Sequence, residues 1–233
     1  GAMSAQRFPH LVNDQPLILV GNGACDRGQL ADAPAGYLVA VDGGLRHCQA
    51  AGLTPHAVIG DMDSADLSGL MADHPDVLVH KLTDQNTTDL EKALMMYAAP
   101  VCLAYGFLGL RVDHMLATFS VLARYAEFHN LILVGEDDLV HVTMRPFAMS
   151  LAVGARLSVW PVAQVRFAKS SGLVWPLDGL MLSPDGQVAT SNQMQTDQLT
   201  LTPQHGNKGA YAVCCDPVFL PEMLVAVGAG RPD

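Results

Sequence analysis

The sequence predicts an α/β protein in which a mostly parallel α/β sheet domain is followed by a smaller antiparallel all-β sandwich domain. Three observations lead there. Over the first two thirds of the chain, short apolar runs alternate with helical patterns, the texture of a parallel sheet covered on both faces. From about Val140 the texture changes to short β-rich runs separated by Gly, Pro, Asn and Asp. Pro184-Asp185-Gly186 is a strong turn signal within that second region. The expected boundary separates residues 1–139 from residues 140–233.

Each element has a local reason. Leu17–Val20 reads as a strand ending at Gly21-Asn22-Gly23, and Tyr37–Val41 as a second ending at Asp42-Gly43-Gly44. Leu45–Ala51 is a helix stopped by Gly52. His56–Gly60 is a third strand running into Asp61, Asp66–His74 a helix, and Val77–Lys81 a fourth strand. Thr88–Ala98 is a helix because Thr88 is a good N-cap, with Asp89 and Glu91 in the first turn where the macrodipole favours acids. Val101–Tyr105 is a fifth strand, His114–Phe128 a helix and Leu131–Val134 a sixth strand. Further strands are expected at Val140–Met144, Ser150–Ala152, Leu157–Val162, Gln198–Thr202 and Ala210–Cys214. No helical pattern of useful length is read after residue 140.

Composition bounds the function. The chain has 233 residues, half of them apolar and 15% charged, which excludes intrinsic disorder. Its 23 acidic and 13 basic residues give a net charge of −10. That balance argues against a nucleic-acid partner, because such proteins neutralise phosphates with clustered Lys and Arg. It still permits a polyphosphate ligand that arrives with a divalent metal. The five cysteines form no Cys-x-x-Cys pair, so neither a disulfide framework nor a zinc site is indicated. Only Ala93–Leu110 approaches membrane length, and Pro100, Gly106 and Gly109 break it into a helix end, a turn and a buried strand. No membrane partner is expected. Gly1–Pro9 lacks the apolar core of a secretory signal, and Gly1-Ala2 ahead of Met3 looks like a cloning remnant; a cytoplasmic location is expected.

In an open α/β sheet, ligands bind beyond the carboxyl ends of the strands. Here those ends carry acids: Asp42, then Asp61 and Asp63, then Asp84 and Asp89, then Asp113 beside Arg111. In extended backbone, residues i and i+2 project to one side, so Asp61 and Asp63 can converge on one hard cation such as Mg²⁺. Taken alone, Asp61-Met62-Asp63 also reads as a solvated turn with a helix-capping Asp, and Asp84–Asp89 as a loop leading to a cap. Asp89 can also offer a metal ligand while its helix N-terminus faces phosphates. Arg111 is a planar donor suited to phosphate, whereas His114 reads first as a structural residue of a helical first turn. Familiar phosphate loops are absent. Gly21-Asn22-Gly23-Ala24-Cys25-Asp26 lacks the third Gly of the dinucleotide fingerprint, and no Lys sits in a Walker A loop.

The ordered set Asp42-Gly43-Gly44, Gly60-Asp61-Met62-Asp63-Ser64, Asp84 through Thr88-Asp89, and Gly109-Leu110-Arg111-Val112-Asp113-His114 resembles the motif series of thiamine pyrophosphokinases. The resemblance spans about residues 15–215 and continues weakly in Gly172-Leu173-Val174-Trp175 and Thr190-Ser191-Asn192. It implies pyrophosphate transfer from Mg·ATP to the thiamine hydroxyl, giving thiamine diphosphate and AMP. By position, Asp61, Asp63 and Asp89 would hold Mg²⁺, with Asp42 and Asp84 as further metal or metal-shell ligands. Nucleotide contacts would come from Asp42, Gly43, Asp84, Thr88, Arg111 and His114. Asp61, Asp63, Asp89, Arg111 and Asp113 form the implied catalytic set, with Asp113 orienting or deprotonating the hydroxyl. The family's β-domains pair in a homodimer with thiamine between subunits, which makes Trp175, Ser191 and Asn192 candidates for ring stacking and polar contacts. From the residues alone, Trp175 is equally a core aromatic, and Ser191 and Asn192 a turn. Leu110 stands where the family commonly has Gly.

Three other readings compete. Val58–Ser64 also resembles the first motif of haloacid-dehalogenase-like phosphatases, with Leu133–Asp138 imitating their distal acidic motif. The same metal site would serve a pyrophosphokinase of another small alcohol, such as a hydroxymethylpterin. A non-enzymatic thiamine or nucleotide binder is the third.

Overall fold

Apolar runs without an interrupting polar residue suit strands covered on both faces, and the computed structural model, which describes residues 10–11, 14–81 and 88–229, builds them so. In chain order the elements are β1 (His10–Leu11), β2 (Leu17–Val20), α1 (Arg27–Ala31), β3 (Tyr37–Val41), α2 (Gly44–Ala50), β4 (Ala57–Ile59), α3 (Ser64–Asp73) and β5 (Leu78–His80). There follow α4 (Asp89–Met96), β6 (Tyr97–Ala98), β7 (Cys102–Tyr105), α5 (Val112–Tyr125) and β8 (Leu131–Val134). The second region holds β9 (Leu139–Thr143), β10 (Phe147–Ser150), β11 (Arg156–Pro161), β12 (Val165–Ser171), β13 (Met181–Leu182), β14 (Ala189–Gln193), β15 (Gln198–Pro203), β16 (Tyr211–Cys215) and α6 (Leu220–Ala229). The described residues form two units. One comprises positions up to Val121 with Leu133–Glu136, the other Leu122–Ile132 with positions from Asp137 onward.

The first unit is built on a parallel sheet of order β7-β2-β3-β4-β5, with β8 next to β7. All four residues of β2 and of β7 are buried. The chain steps outward from β2 to β5, then returns through α4 and places β7 on the other side of β2. The strand order therefore reverses between β2 and β7, and a crevice opens beyond their carboxyl ends. Ala93–Leu110, the longest uncharged stretch, is divided among α4, β6 and β7. Among the described residues no helix is long and apolar enough to cross a membrane.

The second unit contains two antiparallel four-stranded sheets, β14-β11-β16-β9 and β10-β15-β12-β13. Their facing sides meet through Phe167 and Tyr211, with ring centroids 5.0 Å apart, and through His141 and Phe147 at 5.2 Å. Along β15 buried and exposed residues alternate, as a strand with one core face requires. Strands β12, β13 and β14 lie outside the runs that sequence patterning identifies. Lys169, Ser170, Ser171, Thr190 and Ser191 give them too little apolar alternation to be read.

Helix α6 corrects the expectation of an all-β second region. Asp216 accepts from Val218 N at 2.9 Å and caps a 3-10 turn, Pro217–Phe219, that leads into the helix. Pro221 falls in the first turn of α6, where its missing N–H costs nothing. A helix apolar on most sides has no amphipathic stripe to betray it. Tyr97–Ala98 is a second difference, a short strand paired with β1 instead of a helix end.

His141 is buried in this unit, and its Nδ1 donates to Leu131 O at 2.7 Å. Burial lowers its pKa to about 4. The unfolded chain binds this proton from about pH 6.5 downward, so the stability present above that pH is lost as pH falls towards 4. The expected contribution is about 1.4 kcal/mol per pH unit across that window. Urea unfolding of the parent and of His141→Phe between pH 7 and 4.5 checks this: the parent should lose stability more steeply, by about one proton.

Candidate active site

The parallel register aligns the strand ends. Val20 pairs with Ala40 and Tyr105, and Val41 with Ile59, so Gly21, Asp42, Gly60 and Gly106 leave the sheet on one rim. The two loops at the crevice are tied together. Gly21 N donates to Tyr105 O at 2.8 Å, Gly23 N to Gly106 O at 2.6 Å and Ala24 N to Leu108 O at 3.0 Å. A cavity of about 880 Å³ opens there, with Asn22, Asp42, Gly43, Arg46, Asp61, Thr88, Asp89, Lys92, Arg111 and His114 in its walls.

At its centre is a glycine. Gly60 has φ +90°, and a β-carbon there would lie 2.5 Å from Asp42 Oδ1 and 2.5 Å from Asp89 Oδ2. Only a residue without a side chain leaves the two carboxylates room to converge. Asp42 itself takes a left-handed φ of 51°, and its Oδ1 accepts from Asp61 N at 3.0 Å. Burial, and then the Asp89 carboxylate beside it, push the Asp42 carboxyl up to about 7. Two carboxylates pressed together in this way are a receptive pair for a divalent cation. Among the described residues no three His, Cys, Asp or Glu side chains are grouped closely enough to hold a metal by themselves. An incomplete oxygen set fits Mg²⁺, which keeps waters and takes phosphate oxygens as its remaining ligands.

Asp63 lies apart from this pair. The i, i+2 geometry expected of Asp61 and Asp63 is broken because α3 begins at Ser64. Asp63 is its N-cap, accepting from Ala65 N at 2.9 Å and Asp66 N at 3.2 Å. Asp61 lines the cavity and Asp63 does not. Thr88 caps α4 through Glu91 N at 3.2 Å, which places Asp89 in the first helical turn. Asp84 lies outside the described residues.

The cationic side of the cavity includes groups that sequence reasoning missed. Lys92 is largely enclosed, with Nζ 3.5 Å from Asp89 Oδ1 one turn along α4. The i, i+3 spacing from Asp89 on a well-capped helix was the available signal. Arg46, one turn into α2, reaches Asp66 at 3.2 Å and Asp63 at 4.0 Å. Arg111 is gripped by Asp113 through two bonds, Nε to Oδ1 at 3.1 Å and Nη2 to Oδ2 at 2.6 Å. That grip holds the Asp113 carboxyl below the usual carboxylate range. With both oxygens engaged, Asp113 is arranged to aim the guanidinium and poorly arranged to accept a proton.

In the second unit Trp175 is 57% exposed, too open for a core aromatic. Asn192 is buried beneath it: Oδ1 accepts from Trp175 N at 3.2 Å and Gln193 N at 2.9 Å, and Nδ2 donates to Trp175 O at 2.8 Å. Asn192 therefore clamps the main chain that presents the indole. Ser191, with φ 60°, sits at a bulge where β14 has one residue more than β11, and its N–H donates to Ser158 Oγ at 2.9 Å.

Residues 30–134 match the family described as thiamin pyrophosphokinase, catalytic domain. Over that segment the chain is similar to the thiamine pyrophosphokinase family. Thiamine pyrophosphokinase 3 of Oryza sativa subsp. japonica is 27% identical over 165 residues, 64% of this chain and 61% of that protein. Thiamine pyrophosphokinase 1 of Arabidopsis thaliana is 25% identical over 164 residues, 63% of this chain and again 61% of its own length. The chain thus spans about three fifths of the length of the curated relatives it matches. The fold is shared with thiamine pyrophosphokinase from Bacillus subtilis, with a TM-score of 0.74 at 17% identity over 87% of this chain and 99% of that one. It is shared also with thiamin pyrophosphokinase from Candida albicans, with a TM-score of 0.72 at 10% identity over 93% and 95%.

The family match does not favour the haloacid-dehalogenase reading. The acids invoked for its distal motif are placed elsewhere as well. None of Glu136, Asp137 and Asp138 lines the cavity, and Asp138 pairs with Arg156 at 2.8 Å.

Leu110 takes a backbone conformation that favours glycine. It has φ 57° directly after Gly109 at φ 76°, and it is 75% exposed on the cavity's lip. A left-handed Leu costs roughly 1–2 kcal/mol, and exposure means little packing would be lost on replacing it. Leu110→Gly is expected to change unfolding free energy by less than about 1 kcal/mol, since glycine's unfolded-state entropy offsets the relief of strain. Urea melts check this.

Proposed function

We propose that the chain is a thiamine diphosphokinase, an ATP:thiamine diphosphotransferase. The thiamine hydroxyl oxygen attacks the β-phosphorus of ATP, the α,β-bridging bond breaks, AMP leaves, and the hydroxyl proton passes to solvent or a nearby base. The observation that carries this reading is the convergence of Asp42 and Asp89 over Gly60, with Asp61 alongside and Lys92, Arg46 and Arg111 facing the same cavity. Asp42 and Asp89 would hold Mg²⁺, with Asp61 in the adjoining wall. When bound, that ion neutralises triphosphate oxygens and fixes their orientation.

The chain's own residues do the remaining work. Lys92 and Arg111 face the triphosphate and offset its charge, and Asp113 keeps Arg111 aimed. Gly43 and Thr88 line the same wall and let the nucleotide approach closely. His114 borders it from the first turn of α5. Asp63 acts indirectly, by fixing the start of α3 next to Asp61. Phosphoryl-type transfer depends on such positioning and charge neutralisation more than on covalent catalysis.

On the acceptor side, we assign Trp175 the role of stacking face for thiamine, with Asn192 holding it and Ser191 at the bulge beside it. Val174, its chain neighbour, is 38% exposed and adds apolar surface beside Trp175. Such a patch on the second unit supports a homodimer in which thiamine lies between subunits. Five unpaired cysteines suit a reducing compartment, and we place the enzyme in the cytoplasm.

The test is AMP formation from Mg·ATP with and without thiamine, alongside orthophosphate release from a phosphomonoester. Thiamine-dependent AMP supports the reading; AMP only with a hydroxymethylpterin, or orthophosphate release alone, overturns it. Trp175→Ala should raise the thiamine KM about tenfold, the scale of one aromatic contact, with the ATP KM changed less than about twofold. Equal effects on both would remove Trp175 from the acceptor site.

A further inference from the structure

A second cavity, of about 350 Å³, lies wholly within the second unit, and none of its residues belongs to the site described above. Its walls come from the β8–β9 side, from the β9–β10 turn, from β15 and from α6. Among the described residues no Asp or Glu lines this cavity. Among the described residues the one charged group in its wall is Arg145.

Arg145 is held on three sides. Its N–H donates to Thr143 Oγ1 at 3.2 Å, its carbonyl accepts from the Tyr211 hydroxyl, and its Nη2 donates to Glu127 O at 2.7 Å. The last is its only side-chain hydrogen bond among the described residues, and no carboxylate there pairs with it. A guanidinium has five donors in a planar fork that matches a carboxylate. Next to it the wall is polar, with Thr143 and His141, both buried. His141 stays neutral at physiological pH and adds no second charge. Opposite, Phe147, Leu201 and Val227 give an apolar floor.

We propose that this cavity binds a small organic acid, a carboxylate on a compact apolar body. The carboxylate pairs with Arg145 and the body packs on Phe147 and Val227. The charge-free remainder of the wall favours a single anionic group, and the apolar floor favours an organic ligand over an inorganic ion.

Amide-resolved NMR titrations of the full chain with benzoate, benzamide and inorganic phosphate test it. Saturable benzoate shifts are expected at Thr143, Phe147 and Val227, with benzamide and phosphate each binding at least tenfold more weakly. Arg145→Met should weaken benzoate at least tenfold while the rest of the spectrum persists. Ala226→Phe, which fills the cavity without altering charge, should do the same and decides the matter if Arg145→Met does not fold. No saturable benzoate response, phosphate binding as tight as benzoate, or undiminished binding in the folded variants overturns the proposal.

Discussion

Asp89→Asn is expected to lower thiamine-dependent AMP formation at least 10³-fold, about 4 kcal/mol of transition-state stabilisation, while leaving the melting temperature within a few degrees. The activity loss follows from the place of Asp89, whose Oδ2 and the Oδ1 of Asp42 meet over Gly60 while its Oδ1 faces Lys92. An amide cannot neutralise a cation, and it removes the ion pair that Asp89 makes with Lys92. Stability should barely move because opposing effects are of similar size. Losing the Asp89 charge relieves the crowding that raises Asp42. The same change removes an acid from the first turn of α4, a favourable helix-dipole contact of about 0.3–1 kcal/mol. Parallel assays of AMP release and thermal unfolding check both halves. A variant with parent activity would remove Asp89 from the metal site, and a variant that unfolds would make its role structural.

Gly60→Ala should abolish activity as well, but by a different route and with a stability cost. At φ +90° any L-residue is strained by about 1–3 kcal/mol. The added methyl would also stand 2.5 Å from an oxygen of each carboxylate, so Asp42 and Asp89 must separate. The expected result is a fall in stability of that order together with loss of Mg²⁺-dependent ATP binding. Calorimetric titration of Mg·ATP and urea unfolding would measure the two effects separately. Normal Mg·ATP affinity in Gly60→Ala would show that the convergence of the two carboxylates is dispensable.

Much of the first unit and its rim was legible because strands buried on both faces leave uninterrupted apolar runs, and the residue after each run is forced onto one edge. Asp42, Asp61 and Arg111 follow from that alone. Asp89 follows from the cap at Thr88. Asp63 stands outside the cavity wall because the helix begins at Ser64, two residues before its periodic pattern becomes visible, and its Oδ1 caps the backbone N–H groups there. Lys92 and Arg46 were overlooked for a geometric reason: each lies one turn along a helix, where sequence distance hides proximity to a strand end. Asn192 shows a further limit. Its polarity suggested a ligand contact, whereas burial gives it the main chain of Trp175 to hold. In the second unit, α6 escapes because it is apolar on most sides, and β12 and β14 because their polar residues leave too little apolar alternation.

The central claim is transfer of a two-phosphorus group to the thiamine hydroxyl, and ³¹P NMR of one reaction containing the chain, Mg·ATP and thiamine tests it most directly. The expected result is paired diphosphate signals of thiamine diphosphate growing in equal proportion to AMP, with neither ADP nor orthophosphate accumulating. Growth of ADP with a thiamine monophosphate signal, or of orthophosphate alone, would contradict it.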